Sequence, residues 1–406
     1  MIQLSTVARR SYSCRCGRPV FFRNSLCLGC KSPLGYEPDL GQLFPLTPTN
    51  VSGSWRIWRT DKDDSKTYRR CGNLDSVSRC NWLVNQQPDV GNQAVLCKSC
   101  RSDRTIPDLS VPENAACYAR ISVAKRRLVA LLIDLGLPVA SKEEDPGNGL
   151  SFDFLRSMDG GPNILTGHDN GVITLNVEEA EDATRERIRS EMGEPYRTLL
   201  GHLRHEVGHY YWGRLVADGP FLEDFRTLFG DERQDYASCL ANHYRFGAQR
   251  DWLNSFVSAY ASSHPWEDWA ETWAHYLHII DTLNTALSFG LDPDVAIEME
   301  VEPFEKKVLF KPDDPDAAGF LELIHSWTLL TPVLNELSRA MGSADFYPFV
   351  LCERVIAKLQ LIHLAACGGS RKERSLNGAD FHYRLLVVTQ TASRLSSNSS
   401  CPVCLP

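Results

Sequence analysis

The sequence lacks any apolar run long enough to cross a bilayer. Its longest, around Leu128 to Ile133, is closed by Asp134 and falls far short of the ~20 residues a spanning helix needs. A membrane-spanning protein is therefore not expected. The opening residues, MIQLSTVARRSYSCRCG, hold Arg9 and Arg10 but no apolar core of the kind a secretory leader carries. Export by the general route is not expected, and the cytoplasm is the expected location. No repeat at solenoid spacing appears, which sets repeat architectures aside. With 406 residues, 43% hydrophobic and 23% charged, the chain reads as an ordinary globular protein of two or three domains.

Acidic residues are scarce at the front and basic ones at the back. Residues 1–105 carry 16 Lys+Arg against 8 Asp+Glu, and the remainder 27 against 43. Such a split suggests two bodies with different surfaces, although basic side chains also offset the negative charge of thiolate-bound zinc. Eight of the 14 cysteines fall within the first 100 residues, spaced as C-x-C, C-x-x-C, two singles and C-x-x-C. In a reducing compartment, such pairs read as tetrahedral zinc sites rather than disulfides. The natural grouping is Cys14, Cys16, Cys27 and Cys30 for one site and Cys71, Cys80, Cys97 and Cys100 for the other.

Between Cys14 and Arg104 the text is turn-rich, with short β-prone runs such as PVFF, SWRIW and NWLV. A small β-rich module, residues 1–107, is expected there, stabilised by its metals, with the boundary near Asp108. Residues 108–368 should form a second, mainly helical body. It opens with an amphipathic helix from Ala115 to Leu135, stopped by Gly136 and Pro138, whose Lys125, Arg126 and Arg127 read as a solvated stripe. Two strands, LSFDFL from Leu150 and VITLNV from Val172, and a charged helix then lead to Pro195, a fitting first-turn residue for the next helix. After Gly368 the composition turns polar and serine-rich, so residues 369–406 are expected to be weakly ordered, with Cys401 and Cys404 as a lone half-knuckle. The fold class is thus α+β, a small β-rich, zinc-held module followed by a mainly helical body.

The chemistry is carried by His205-Glu206-Val207-Gly208-His209, an H-E-x-x-H pentapeptide in an apolar, helix-forming surround. Residues four apart share a helix face, so His205 and His209 can offer two imidazoles to one metal, with Glu206 beside it. Zinc needs a third protein ligand and an open position for water. Downstream candidates are Asp231, Glu232, Asp235, His243, His264, Glu267, Asp268, Glu271, His275 and His278. The segment SSHPWEDWAETWAHYLHII stands out. Pro265 can open its helix, and Glu267 and Glu271 lie one turn apart on a shared face. Glu267 would then bind zinc and Glu271 would accept the remaining ring N–H of a histidine ligand. His202, His275 and His278 read as structural.

HEVGH together with Glu267-x-x-x-Glu271 resembles the gluzincin metallopeptidases, and the text around Tyr260, Pro265 and Trp266 is similar to lethal-factor-type enzymes. More widely, the order of two cysteine clusters, IPDLSVPEN, AKRRLV, ILTGHDNGVITLNV, HEVGH and EDWAE resembles a bacterial zinc-binding metallopeptidase family with an N-terminal zinc ribbon, over roughly residues 14–365. That resemblance implies one catalytic zinc on His205, His209 and Glu267, two structural zincs, Glu206 as base, Glu271 behind the ligands and Tyr260 near the developing oxyanion. The expected function is zinc-dependent hydrolysis of peptide bonds in a peptide or protein substrate. The competing reading is a binding protein with an inactive zincin body. Its ribbon would use Phe21-Phe22-Arg23, Trp55 to Arg59 and Tyr68-Arg69-Arg70 to meet nucleic acid or a protein partner. Nucleic acid is the lesser expectation.

Overall fold

The computed structural model describes residues 10–59, 66–85, 95–157, 164–192 and 194–376. Cys401, Cys404 and the chain from 377 onward lie outside them.

The front of the chain forms a hairpin of β1 (Tyr12–Ser13) and β2 (Pro19–Val20), then a five-stranded antiparallel sheet. Its strands are β3 (Leu34–Glu37), β4 (Gln42–Pro48), β5 (Ser54–Ile57), β6 (Tyr68–Arg70) and β7 (Leu83–Asn85), paired in chain order. PVFF, SWRIW and NWLV each contribute to a strand, as their composition predicts. This sheet is small, and its core around Tyr36, Trp82 and Leu43 is shared with six of the cluster cysteines. Cores of that size are commonly reinforced by metal or disulfide cross-links. Of the last cysteine pair, Cys100 sits on α1 (Lys98–Arg101) and Cys97 is the residue just before it.

Past α1 the chain enters a second sheet at once. β8 (Asp103–Thr105) pairs in parallel with β9 (Ser151–Leu155), β9 with β11 (Val172–Asn176), and β10 (Gly167–Asp169) closes the far edge antiparallel to β11. The two strands expected from LSFDFL and VITLNV are present. The short β8 and β10 are additional, since three residues leave no periodicity to read. Between them runs α2 (Pro112–Asp134), with Pro112 in its first turn and Gly136 (φ 68°) after its end.

The expectation that Lys125, Arg126 and Arg127 form a solvated stripe is overturned. Lys125 and Arg126 are buried, and Arg127 is largely covered. Lys125 reaches Asp103 and the Ser99 carbonyl, while Arg127 binds Asp281 at 2.8 Å. The stripe looked solvent-facing because the bodies that cover it lie far away in sequence.

The remaining elements are α3 (Asp182–Glu191), α4 (Leu199–Leu215), α5 (Leu222–Leu228), α6 (Tyr236–Phe246), α7 (Pro265–Ser288), α8 (Pro293–Ala296), α9 (Ala317–Ala340) and α10 (Glu353–Leu376). α4 starts at Leu199 rather than near Pro195, because the Thr198 hydroxyl accepts the Gly201 N–H at 3.0 Å and caps it there. Nine consecutive residues, Leu203 to Tyr211, are buried, so α4 is a core helix covered on all sides. α7 packs along it. α9 is long and apolar enough to cross a membrane by length and composition, yet Phe320, Leu323, Ile324, Trp327 and Leu330 are buried in the core. α10 runs on to Leu376, eight residues into the stretch expected to be weakly ordered.

Candidate active site and zinc clusters

Gly208, the fourth residue of HEVGH, lets α4 and α7 meet. A Cβ added there would stand 2.9 Å from Ala270 Cα, and the Gly208 carbonyl accepts the Trp269 indole N–H at 3.0 Å. Trp273 stacks on Tyr211 with centroids 5.0 Å apart, and further along the same contact α7 turns Glu267 and Glu271 toward the α4 histidines. His264 caps α7 through its ring, and Pro265 takes the first-turn position expected of it.

His205, His209 and Glu267 are all buried and point ligand atoms at one another. The two imidazole Nε2 atoms are 3.2 Å apart, and the Glu267 oxygens lie 3.0 Å from His205 Nε2 and 3.5 Å from His209 Nε2. A tetrahedral zinc with bonds of about 2.0–2.1 Å separates its ligand atoms by about 3.3 Å, so these spacings suit a shared ion. Hydrogen bonding points the same way. His205 Nδ1 is 2.7 Å from Glu271 Oε1, a carboxylate that can only accept, so Nδ1 carries a proton and Nε2 is the nitrogen left to face a metal. Glu267 Oε2 is buried and faces His205 Nε2 at 3.0 Å, while its Oε1 accepts from another side chain. Converging acceptors of this kind are reconciled by a cation.

Glu271 is held in turn by the Ser258 hydroxyl at 2.6 Å. Burial works against its charge, but His205 outweighs it and keeps the carboxyl ionised, down to about 2. Burial likewise opposes charge on Glu206, where His202 and His205 prevail and lower its pKa. Tyr260 sits on a short 3-10 turn with its ring 6.1 Å from that of His205, its hydroxyl pushed well above the ordinary range by burial and by Glu267.

The other candidate ligands are engaged elsewhere. Glu232 binds Arg226 at 2.6 Å, Asp231 binds Arg233, Asp235 caps α6, and Asp268 is buried against Lys358 at 2.6 Å. His243 packs edge-on against Tyr260, His275 pairs with the Tyr347 hydroxyl, and His278 with Arg204.

Three participants escape the sequence reading. Tyr236 on α6 donates to Glu267 Oε1 at 2.6 Å, brought there by a loop path that no local pattern encodes. His168 on β10 lies 6.4 Å from the His209 ring and nearly parallel to it, its pKa lowered to about 4 by burial and by His209. His202, read as structural, stands 3.2 Å from Glu206, and the four-residue spacing on one helix was the available signal.

The eight front cysteines gather as grouped. Cys14 and Cys30 sulfurs are 3.5 Å apart, Cys16 and Cys27 3.7 Å, and Cys80 and Cys97 3.6 Å. A disulfide is about 2.05 Å, whereas Zn–S bonds of about 2.3 Å put tetrahedral sulfurs about 3.8 Å apart. The tight C-x-C works as a knuckle because Gly17 (φ 78°) turns the chain back, its N–H on the Cys14 carbonyl at 2.9 Å. The long gap after Cys71 is taken up by a 3-10 turn, Gly72–Leu74, with Cys80 N–H on the Asn73 carbonyl.

Comparison with known proteins agrees with this layout. A zinc-ribbon domain model matches residues 11–111, and the model of a family described as "Putative zinc-binding metallo-peptidase" matches residues 114–365. An uncharacterized protein of Mycobacterium bovis is 42% identical over 356 residues, covering 87% of this chain and 94% of its own. Uncharacterized proteins of two Mycobacterium tuberculosis strains match to the same extent. No solved structure matches. HEVGH, EDWAE and all the residues that gather around them fall inside the longer match, and the chain belongs to that zinc-binding metallopeptidase family.

Proposed function

We propose that the chain hydrolyses peptide bonds with one zinc held by His205, His209 and Glu267 and with Glu206 as general base. The observation that carries this reading is the convergence of three buried groups, with the His205 and His209 Nε2 atoms 3.2 Å apart and the two Glu267 oxygens 3.0 Å from one and 3.5 Å from the other. Zinc bound there supplies Lewis acidity to water and to the scissile carbonyl. Glu206, ionised and adjacent, takes the proton from the attacking water and returns it to the leaving amine. Glu271 fixes the His205 tautomer. Tyr260, kept protonated by burial, is the donor assigned to the developing oxyanion. The two four-cysteine clusters hold structural zinc, and their unpaired thiols suit a reducing, cytoplasmic setting.

The test is zinc content together with cleavage of a mixture of internally quenched peptides by the full chain. Three zincs per chain and measurable cleavage are expected. Glu206→Gln should keep the metal and lose about 100-fold or more in kcat. Full activity in that variant, zinc retained, would remove Glu206 from the base role.

A further inference from the structure

The carboxylate assigned as base is itself gripped from behind. His202 Nε2 stands 3.2 Å from Glu206 Oε1, while its Nδ1 stands 2.7 Å from Glu179 Oε2. Both ring nitrogens therefore face carboxylate oxygens, which accept hydrogen bonds and do not donate them. Burial opposes a charge on this ring, yet Glu179 and Glu206 prevail and push its pKa up to about 9, as befits a ring donating from both nitrogens.

Glu179 is a fixed post. It lies on the 3-10 turn Val177–Ala180 that leaves β11, and Asn176 caps that turn by accepting the Glu178 N–H. Arg197 holds Glu179 Oε2 at 3.1 Å and the Thr166 hydroxyl donates to Oε1. Along the line from sheet end to helix, Glu179 and Glu206 are buried and the His202 ring between them is only 17% exposed. A glutamate has three rotatable bonds, and a base must present one oxygen to water in a narrow range of angles.

We propose that Glu179 and His202 are positioning residues for the Glu206 carboxylate. By holding Oε1, His202 leaves Oε2 for proton transfer. The inference rests on the peptidase reading above, so its test includes a measurement that does not depend on cleavage.

Zinc-loaded full-length native chain, His202→Ala, His202→Gln and Glu179→Gln would be compared in two ways. Crystal structures should show the Glu206 carboxylate in one orientation in the native chain and displaced or split in His202→Ala, with His205, His209 and Glu267 unmoved. Kinetics on the quenched peptide that the native chain cleaves fastest should show kcat down about 100-fold in His202→Ala, with KM and zinc content unchanged. His202→Gln, whose amide can still donate to Glu206, should recover activity to within about 10-fold of native, and Glu179→Gln should lose about 10-fold. An unmoved Glu206 carboxylate, or kcat equal to native in His202→Ala, overturns the proposal. Should His202→Ala not fold, the Gln variants carry the same comparison. Should the native chain cleave nothing, the peptidase reading fails, and the Glu206 orientation still decides this inference.

Discussion

At the scale of single residues, the site is a set of acceptors that need a cation and a set of donors that hold the acceptors still. Replacing Glu267 by Gln keeps size and removes charge, so zinc bound per chain should fall by about one equivalent while the cysteine-bound metal stays. Glu271→Gln leaves the ligands in place but weakens the grip on His205. Zinc affinity at that site should drop about 10- to 100-fold, measured by competition with a chromogenic chelator. An unchanged affinity would deny Glu271 its supporting part. HEVGH and EDWAE could be read directly, because helical periodicity places their side chains before any tertiary structure is known. Tyr236, Ser258 and Glu179 could not, since each reaches the site from a segment whose path depends on the whole body.

At the scale of elements, the α4–α7 contact decides whether those residues meet. Gly208→Ala would put a methyl group within 3 Å of Ala270 Cα, backbone that cannot swing aside. Overpacking of this kind costs about 1–3 kcal/mol, so the melting temperature should fall and zinc affinity with it. A variant as stable as the parent would mean that the helices slide apart freely. α10 offers a pH-dependent contact of its own. His363 Nε2 lies 2.9 Å from Asp316, and although burial disfavours its charge, Asp316 and Cys367 prevail and raise its pKa to about 9. Its contribution to stability is therefore complete below about pH 6.5 and is lost as pH rises through about 9. Urea midpoints should decline over that window in the parent and less so in His363→Gln. The long helices were legible from caps and periodicity, α7 from Pro265 and Gly290 most clearly. The start of α4 was not, because Pro195 and Thr198 both suit a helix start and only the hydroxyl bond to Gly201 separates them.

At the scale of the whole molecule, ribbon and body are joined through buried charge. Arg10 at the head of the ribbon lies 3.2 Å from Asp281 and 3.0 Å from Asp134, and its N–H donates to the Ser288 hydroxyl at 2.9 Å. Asp281 also takes Arg127 and Arg204, so one carboxylate on α7 answers three arginines from three parts of the chain. Asp281→Asn would leave Arg204 and Arg127 without this counter-charge and Arg10 with Asp134 alone, at about 3–5 kcal/mol, and should appear as a large loss of thermal stability. The buried charges were not legible in the sequence, since Lys125 and Arg127 read as solvent-facing, where a lone helix would put them. β8 sharpens the point. It begins three residues after Cys100, yet it is the outer strand of the body's sheet. Scissors applied at the boundary near Asp108 would strip that edge, bare the flank of β9 and orphan Lys125, so a shortened C-terminal body is expected to clump unless its first residue precedes Asp103.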